Sequence, residues 1–257
     1  MKISVAGAGA GKTTTMASKI IAARISIEAH KNIYCLAFTN AAVSCIKEKL
    51  CEHYAEIPSN IIVCTIHSFF YQEVISPYYF LLFGKQYERI SPINLPEDVS
   101  YKNKKIRELD DRGIIHVSVI PQRAKWVVVK KSGDKKKDRD IRAQLMKTLF
   151  CYCGKIFIDE AQDIDDDTSA IIRTLDAAGI PRELIGDPKQ DLRGHGSFRK
   201  LLNEHEADTS YVSTCYRCPQ QHLRISNMLV PDEEKQISEK DEGIVDLVFE
   251  SNAQPLK

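Results

Sequence analysis

No apolar run in this sequence approaches the roughly 18 residues that a membrane-spanning helix needs. The first residues, a lysine among small apolar side chains, resemble the start of a secretory leader, but Lys12 and the glycines around it interrupt that stretch too early. The expectation is a soluble, cytoplasmic protein with no membrane partner. An excess of one charge is missing as well. There are 36 Lys and Arg against 35 Asp and Glu, a formal net charge of +1. The average charge therefore announces no nucleic-acid partner, and any basic surface must be local. No internal repeat is present. Tryptophan occurs once, at position 126, in "KWVVVK". That stretch reads as a strand with its indole packed inward rather than as a stacking platform. Cysteine is not scarce: there are eight, mostly in apolar segments. A disulfide framework is out of place in a chain able to build a large core, so reduced core thiols are expected. Cys151 with Cys153 and Cys215 with Cys218 could together make a four-cysteine metal site, although a C-x-C pair is a weaker signal than C-x-x-C.

The 257 residues, 43% of them hydrophobic, suffice for one large domain or two modest ones. "KISVAG" reads as a short strand running into glycines. "KTTTMASKIIAARI" reads as a helix with Met16, Ile20, Ala23 and Ile27 on one face. "NIYCLAFTN", "NIIVCTIHSF", "GKIFIDEAQD", "RELIGD" and "TSYVST" read as further strands, with "AAVSCIKEKLCEHY" a second helix. Strands that are apolar throughout and separated by helices indicate a parallel sheet covered on both faces. Such sheets bind ligands at the carboxyl ends of their strands. The polar motifs sit at those ends, after Val5, Phe38, Ile158, Ile185 and Thr214.

Residues 84–145 break this rhythm. They hold Pro92, Pro96 and Pro121, the charged run "YKNKKIRELDDR", and a stretch from 123 to 142 with nine Lys or Arg against three Asp. The expectation is an inserted basic subdomain between two parts of the main domain, residues 1–83 and 146–230.

"GAGAGKTTTM" follows the first strand and opens the first helix. Glycines let a loop wrap so that its N–H groups point inward at phosphates, and the helix N-terminus adds its positive dipole end. Ala8, Gly9, Ala10, Gly11, Lys12, Thr13 and Thr14 are the candidate nucleotide-binding residues. Lys12 would reach the β and γ phosphates, and Thr13 would place a hydroxyl on Mg²⁺. Ala6 stands where the usual pattern has glycine, which the chain tolerates if φ is negative there.

In "IFIDEAQD", Asp159 would hold Mg²⁺ and Glu160 would polarise an attacking water. In "LIGDPKQDL", Gln190 could sense a γ-phosphate, although Asp-Pro alone is also turn chemistry. "STCYRCPQ" supplies Arg217 for transition-state charge and Tyr216 for stacking on adenine. A core tyrosine beside a surface arginine reads the same way on spacing alone.

The ordered set "AGAGAGKT", "AFTN", "TIHSF", "IDEAQD", "GDPKQ" and "CYRC" resembles the ATP-binding half of UvrD-like, superfamily-one DNA helicases, over about residues 1–230. The Ala-first phosphate loop is usual in that family. The resemblance implies an α/β fold of the P-loop NTPase, RecA-like kind, with ATP and Mg²⁺ as cofactors. It implies that Lys12, Thr13, Asp159, Glu160, Gln190, Tyr216 and Arg217 carry the roles given above. It further implies single-stranded DNA contacts from Phe38, Thr39, Asn40, Thr65, His67 and Ser68, with His67 alternatively a structural hydrogen-bonding residue. An aromatic offers a stacking face, and small hydroxyls and amides hold phosphates.

There are departures from the family pattern. The chain starts directly at the first strand, without the family's upstream glutamine motif. "KQDLRGHGSF" runs almost straight to Arg193-Gly194, so the base-stacking aromatic of that motif is missing or displaced to Phe198. Residues 231–257 read as a linker and, in "EGIVDLVFES", the opening strand of an incomplete second motor domain. More loosely, the chain resembles the helicase partner of the Gabija antiphage system, which implies a second subunit such as a nuclease. A motor on single-stranded DNA is therefore weighed against a nucleotide-regulated interaction module that moves no strand. An RNA-virus helicase fits "FTN" and "TIHSF" less well.

Overall fold

The computed structural model describes residues 1–240, Gly243 and Val245; most of the expected strand in "EGIVDLVFES" lies outside the described residues. In chain order the elements are β1 (Lys2–Ala6), α1 (Lys12–Ser26), β2 (Asn32–Ala37), α2 (Asn40–Cys51), β3 (Ile61–Thr65) and α3 (Ile66–Phe69). A π-helical turn, Phe70–Ile75, leads to α4 (Ser76–Phe83), β4 (Arg89–Ser91), α5 (Val99–Asp111), β5 (Ile114–His116), α6 (Ile120–Val128) and α7 (Lys136–Tyr152). Then follow β6 (Cys153–Ile158), α8 (Asp166–Ala177), β7 (Arg182–Gly186), α9 (Ser197–Glu204), β8 (Thr209–Val212) and α10 (Gln220–Asn227).

Six strands form one sheet in the order β3-β2-β6-β7-β1-β8, and every pairing is parallel. The pleat sorts side chains onto two faces. Ile33, Cys35, Ala37, Phe157 and Ile185 face α1 and α2, where Met16, Ile20, Ile46 and Leu50 meet them. Tyr34, Leu36, Ile156, Ile158 and Leu184 face the opposite layer with Leu149, Ile171 and Phe198. Burial on both sides explains why the central strands are apolar throughout. Three of the four residues expected on the inner face of α1, Met16, Ile20 and Ala23, are buried; the fourth, Ile27, lies just past the helix end in extended backbone and is only partly buried.

Strand order governs the site. β6, β7, β1 and β8 are consecutive neighbours, so the loops that follow them converge on one stretch of the carboxyl edge. β2 lies beside β6 and β3 beside β2, so their motifs continue along the same carboxyl edge.

Residues 84–145 build a small βαβ unit: β4 and β5 pair in parallel with α5 between them. Tyr87, Ile115, Ile120, Ala124, Val127 and Leu145 belong to the same apolar cluster as Tyr34 and Leu36 of the main sheet. "KWVV" is the end of helix α6, not a strand, and Val129 is its extended C-cap. Pro121 sits in the first turn of that helix, where a missing N–H costs nothing. The three valines mimic a strand locally, but Ala124, Val127 and Val128 lie at helical spacing against the core, and tertiary packing overrides the β-branched preference. Trp126 is half-buried, with the Arg123 guanidinium 4.2 Å from its ring centre.

The basic stretch is less basic in space than in sequence. Arg123 pairs with Asp110 at 3.2 Å, Lys125 with Asp167 at 2.7 Å, and buried Arg142 with Asp134 at 3.1 Å. These three cations are paired within the protein. The cysteine expectation also needs correction: Cys35, Cys153 and Cys215 are buried, but Cys45, Cys51 and Cys151 are exposed on helices. Among the described residues no group of three or more His, Cys, Asp or Glu could hold a metal ion, and no helix is long and apolar enough to cross a membrane.

Candidate nucleotide site

The loop between β1 and α1 turns twice through left-handed backbone, at Gly9 (φ 75°) and Gly11 (φ 72°), a conformation open to glycine at little cost. Ala6 is absent from the positive-φ residues, so alanine fits the first loop position. A side chain on Gly9 would also collide with Arg217, whose Cβ would lie 2.5 Å away. The glycine spacing thus serves both the turn and the close approach of the segment after β8.

Ala8, Gly9, Gly11, Lys12, Thr13, Thr14, Glu160, Gln190 and Arg217 line one cleft of about 300 Å³. All three candidate catalytic residues and six of the seven loop residues meet there. The seventh, Ala10, is buried, and its N–H closes a turn on the Gly7 carbonyl at 3.2 Å. Ala10 lines an adjoining cavity with Gly9, Gly11, Thr14, Thr15, Tyr216 and Arg217. Tyr216 is exposed, with ring carbons 3.7 and 3.8 Å from where a Cβ on Gly11 would stand. Its N–H donates to the Gly9 carbonyl at 2.9 Å, which fastens the motif after β8 to the loop after β1.

Lys12 Nζ lies 3.7 Å from Glu160 Oε2. Glu160 has a left-handed backbone (φ 51°), the sole non-glycine with positive φ among the described residues. Such a conformation is uncommon for a glutamate and is kept where the surroundings over-determine it. Here the surroundings include Gln162. Its Nε2 donates to Glu160 Oε2 at 2.7 Å, and its Oε1 accepts the Asp187 N–H at 2.9 Å. Asp187 in turn accepts from Gln190 Nε2 at 3.1 Å. Hydrogen bonds therefore run from Glu160 to Gln190 across the ends of β6 and β7. Spacing had not singled out Gln162, whose signal was only its place in "DEAQD".

Asp159 is 2% exposed and stands behind the cleft lining, its Oδ1 accepting the Glu160 N–H at 3.0 Å. Burial, with the adjacent Glu160 charge adding to it, pushes its carboxyl up to about 6. A divalent cation would reverse that shift. One carboxylate and the Thr13 hydroxyl are a small donor set. They fit Mg²⁺, which keeps waters and takes further ligands from phosphates.

A family model described as an AAA domain matches residues 1–194. The chain belongs to that AAA-domain family. It is also similar to the Gabija protein GajB of Bacillus cereus (strain VD045), with 28% identity over 248 residues, covering 92% of this chain and 48% of that protein. The chain thus spans about half the length of this curated relative. Both findings accord with the resemblance read from the motifs, and the parallel α/β sheet is the fold expected of it.

At the neighbouring strand ends of the AAA domain, Thr39 caps α2 by accepting the Ala42 N–H at 3.1 Å, and Asn40 is exposed beside it. Phe38 is half-buried against the core. Thr65 caps α3, and its hydroxyl also bonds the Ser68 hydroxyl at 2.8 Å. Burial holds His67 below the ordinary histidine range, with Asp165 opposing and Arg193 adding to that effect. These six residues share the carboxyl edge of β2 and β3. Phe198 does not join them. It is 1% exposed in α9 and would press on a Cβ at Gly186 from 3.0 Å, so it cannot present a face to a base.

Proposed function

We propose that this AAA domain binds and hydrolyses ATP as half of a UvrD-like motor that acts on single-stranded DNA. The observation that carries the reading is the single cleft shared by Lys12, Thr13, Glu160, Gln190 and Arg217. Lys12 neutralises the β and γ phosphates, while the N–H groups of the glycine loop cradle them. Thr13 and Asp159 would hold Mg²⁺, which supplies positive charge to the phosphate oxygens. Glu160 accepts a proton from the attacking water, Gln190 bonds the γ-phosphate, and Arg217 stabilises the charge that develops there. Tyr216 offers its exposed face to the adenine. Phe38, Thr39, Asn40, Thr65, His67 and Ser68 form the single-stranded DNA track. The likeness to a Gabija protein supports a place in an antiphage complex with a second polypeptide such as a nuclease.

The test is ATP turnover of residues 1–257 with and without single-stranded DNA, beside Lys12→Ala. Turnover that Lys12→Ala abolishes and DNA raises is the expected result. Turnover indifferent to Lys12→Ala would overturn the site. The second reading is a nucleotide-switched interaction module, in which ATP binding changes a partner contact and no strand is moved. It predicts ATP binding with no response to DNA.

A further inference from the structure

Residues 234–238 follow α10 and return to the ATPase core. Ile237 bridges to Thr214 in parallel, with Cys215 N–H donating to Ile237 O at 2.8 Å and Ile237 N–H to Ser213 O at 2.7 Å. The segment thus makes an isolated bridge to the chain just past β8. Its alternation is inverted with respect to hydrophobicity. Glu234, Gln236 and Ser238 are buried, while Ile237 is 64% exposed. A shift of one residue would bury the isoleucine and expose the glutamine. The register that hydrophobic burial favours is therefore not the one adopted. Asn227 holds the adopted register through both peptide groups of Gln236, donating to its carbonyl at 2.7 Å and accepting its N–H at 2.9 Å.

The buried Gln236 side chain ends on the phosphate loop. Its Nε2 donates to the Ala8 carbonyl at 3.3 Å, and its Oε1 lies 2.2 Å from where a Cβ on Gly7 would stand. Cys215 Sγ donates to the same carbonyl at 3.3 Å. In a trans peptide the C=O and the following N–H point to opposite sides. Pinning the Ala8 oxygen outward turns the Gly9 N–H the other way, and Gly9 lines the cleft. We propose that Gln236 is a positioning residue for nucleotide binding, holding the Ala8–Gly9 peptide so that its N–H faces the phosphates. The proposal rests on the nucleotide reading above and adds a residue outside the motifs. It also gives Gly7 a specific reason: the position has no positive φ, and its glycine makes room for the carboxamide.

The test uses Gln236→Met, which keeps the side chain's length and loses its donor, together with Gly7→Ala, Gln236→Ala and the double variant Gly7→Ala/Gln236→Ala. The readouts are the Kd of a fluorescent ATP analogue with Mg²⁺, KM and kcat for ATP, and the nucleotide-free Tm. Loss of one such hydrogen bond should weaken ATP binding by about 3- to 10-fold in Gln236→Met. KM should rise with kcat and the nucleotide-free Tm unchanged. Gly7→Ala evicts the carboxamide and should match that loss, and the double variant should be no worse than either single one. Wild-type affinity in Gln236→Met, or additive losses in the double variant, would overturn the assignment. Lys12→Ala separates the two levels of the argument. If the wild type binds ATP no better than Lys12→Ala, the nucleotide reading falls and this one with it. If Lys12→Ala alone loses binding and Gln236→Met keeps it, only the positioning role falls.

Discussion

Lys12 Nζ and Glu160 Oε2 stand 3.7 Å apart across the cleft, so the lysine proposed to meet phosphate faces the carboxylate proposed to polarise water. The pair is mutually restraining. In the proposed reaction an incoming γ-phosphate would compete with Glu160 for Lys12 and free Glu160 to face the water.

Glu160→Gln should therefore keep or slightly tighten ATP binding while turnover falls by about 10²- to 10⁴-fold, the usual worth of a general base. Analogue binding and single-turnover hydrolysis measure the two separately. Loss of ATP affinity instead would mark Glu160 as a structural residue.

Gln162→Ala should lower kcat more than it changes KM, because the bond that orients Glu160 is removed. It also strips the Asp187 N–H of its partner in a buried setting. Leaving such a donor unpaired costs about 1–3 kcal/mol, readable by urea unfolding. Unchanged kcat would show that Glu160 holds its conformation unaided.

Glu183 supplies the pH dependence. Burial alone would raise its carboxyl, but hydrogen bonds from Lys155 and Lys19 outweigh that and hold it below its ordinary value of 4.5. A carboxyl depressed in the folded state adds stability above its unfolded pKa, and that stability is lost as pH falls through the folded value. Glu183→Gln should thus lower the unfolding midpoint at pH 7, and the gap to the wild type should close as the pH drops below about 4.5. A gap that stays constant down to strong acid would exclude the charged pair as its source.

Single-stranded DNA binding should be weak and steeply salt dependent. The slope should come from Lys130, Lys131, Lys135, Lys136, Lys137 and Arg139, and not from Arg123, Lys125 or Arg142, which pair internally. Each phosphate contact adds roughly 0.7 to the slope on single strands. Reversing charge at Lys135, Lys136 and Lys137 together should flatten the slope by about 2, measured by anisotropy across a salt series. An unchanged slope would make this run a solvated surface. Arg142→Ala should lower stability instead, since it leaves Asp134 without its buried partner.

Much of the site was legible in the sequence because its parts are local. Apolar strands ending in polar residues reveal the carboxyl edge without any three-dimensional information, and the glycine, lysine and threonine of the loop occupy adjacent positions. Where residues adjacent in sequence did not decide the outcome, local reading failed. Val127, Val128 and Val129 suggest a strand, yet core packing along one face makes a helix of the first two. Phe198 suggested a displaced stacking aromatic, and the core beside Gly186 took it.

The sequence by itself determined the parallel α/β class, the phosphate loop and the order of the motifs along the chain, because strand and helix periodicities and the glycine pattern are short-range properties. Only the tertiary structure decided which strands are neighbours, and with that the convergence of Lys12, Glu160, Gln190 and Arg217 on one cleft. It alone set Gln162 between Glu160 and Asp187, and Gln236 against Ala8, 228 residues away in sequence. Those side chains are single polar residues without a local pattern, and hydrogen bonds act on distance in space, which the chain sets only when the sheet closes.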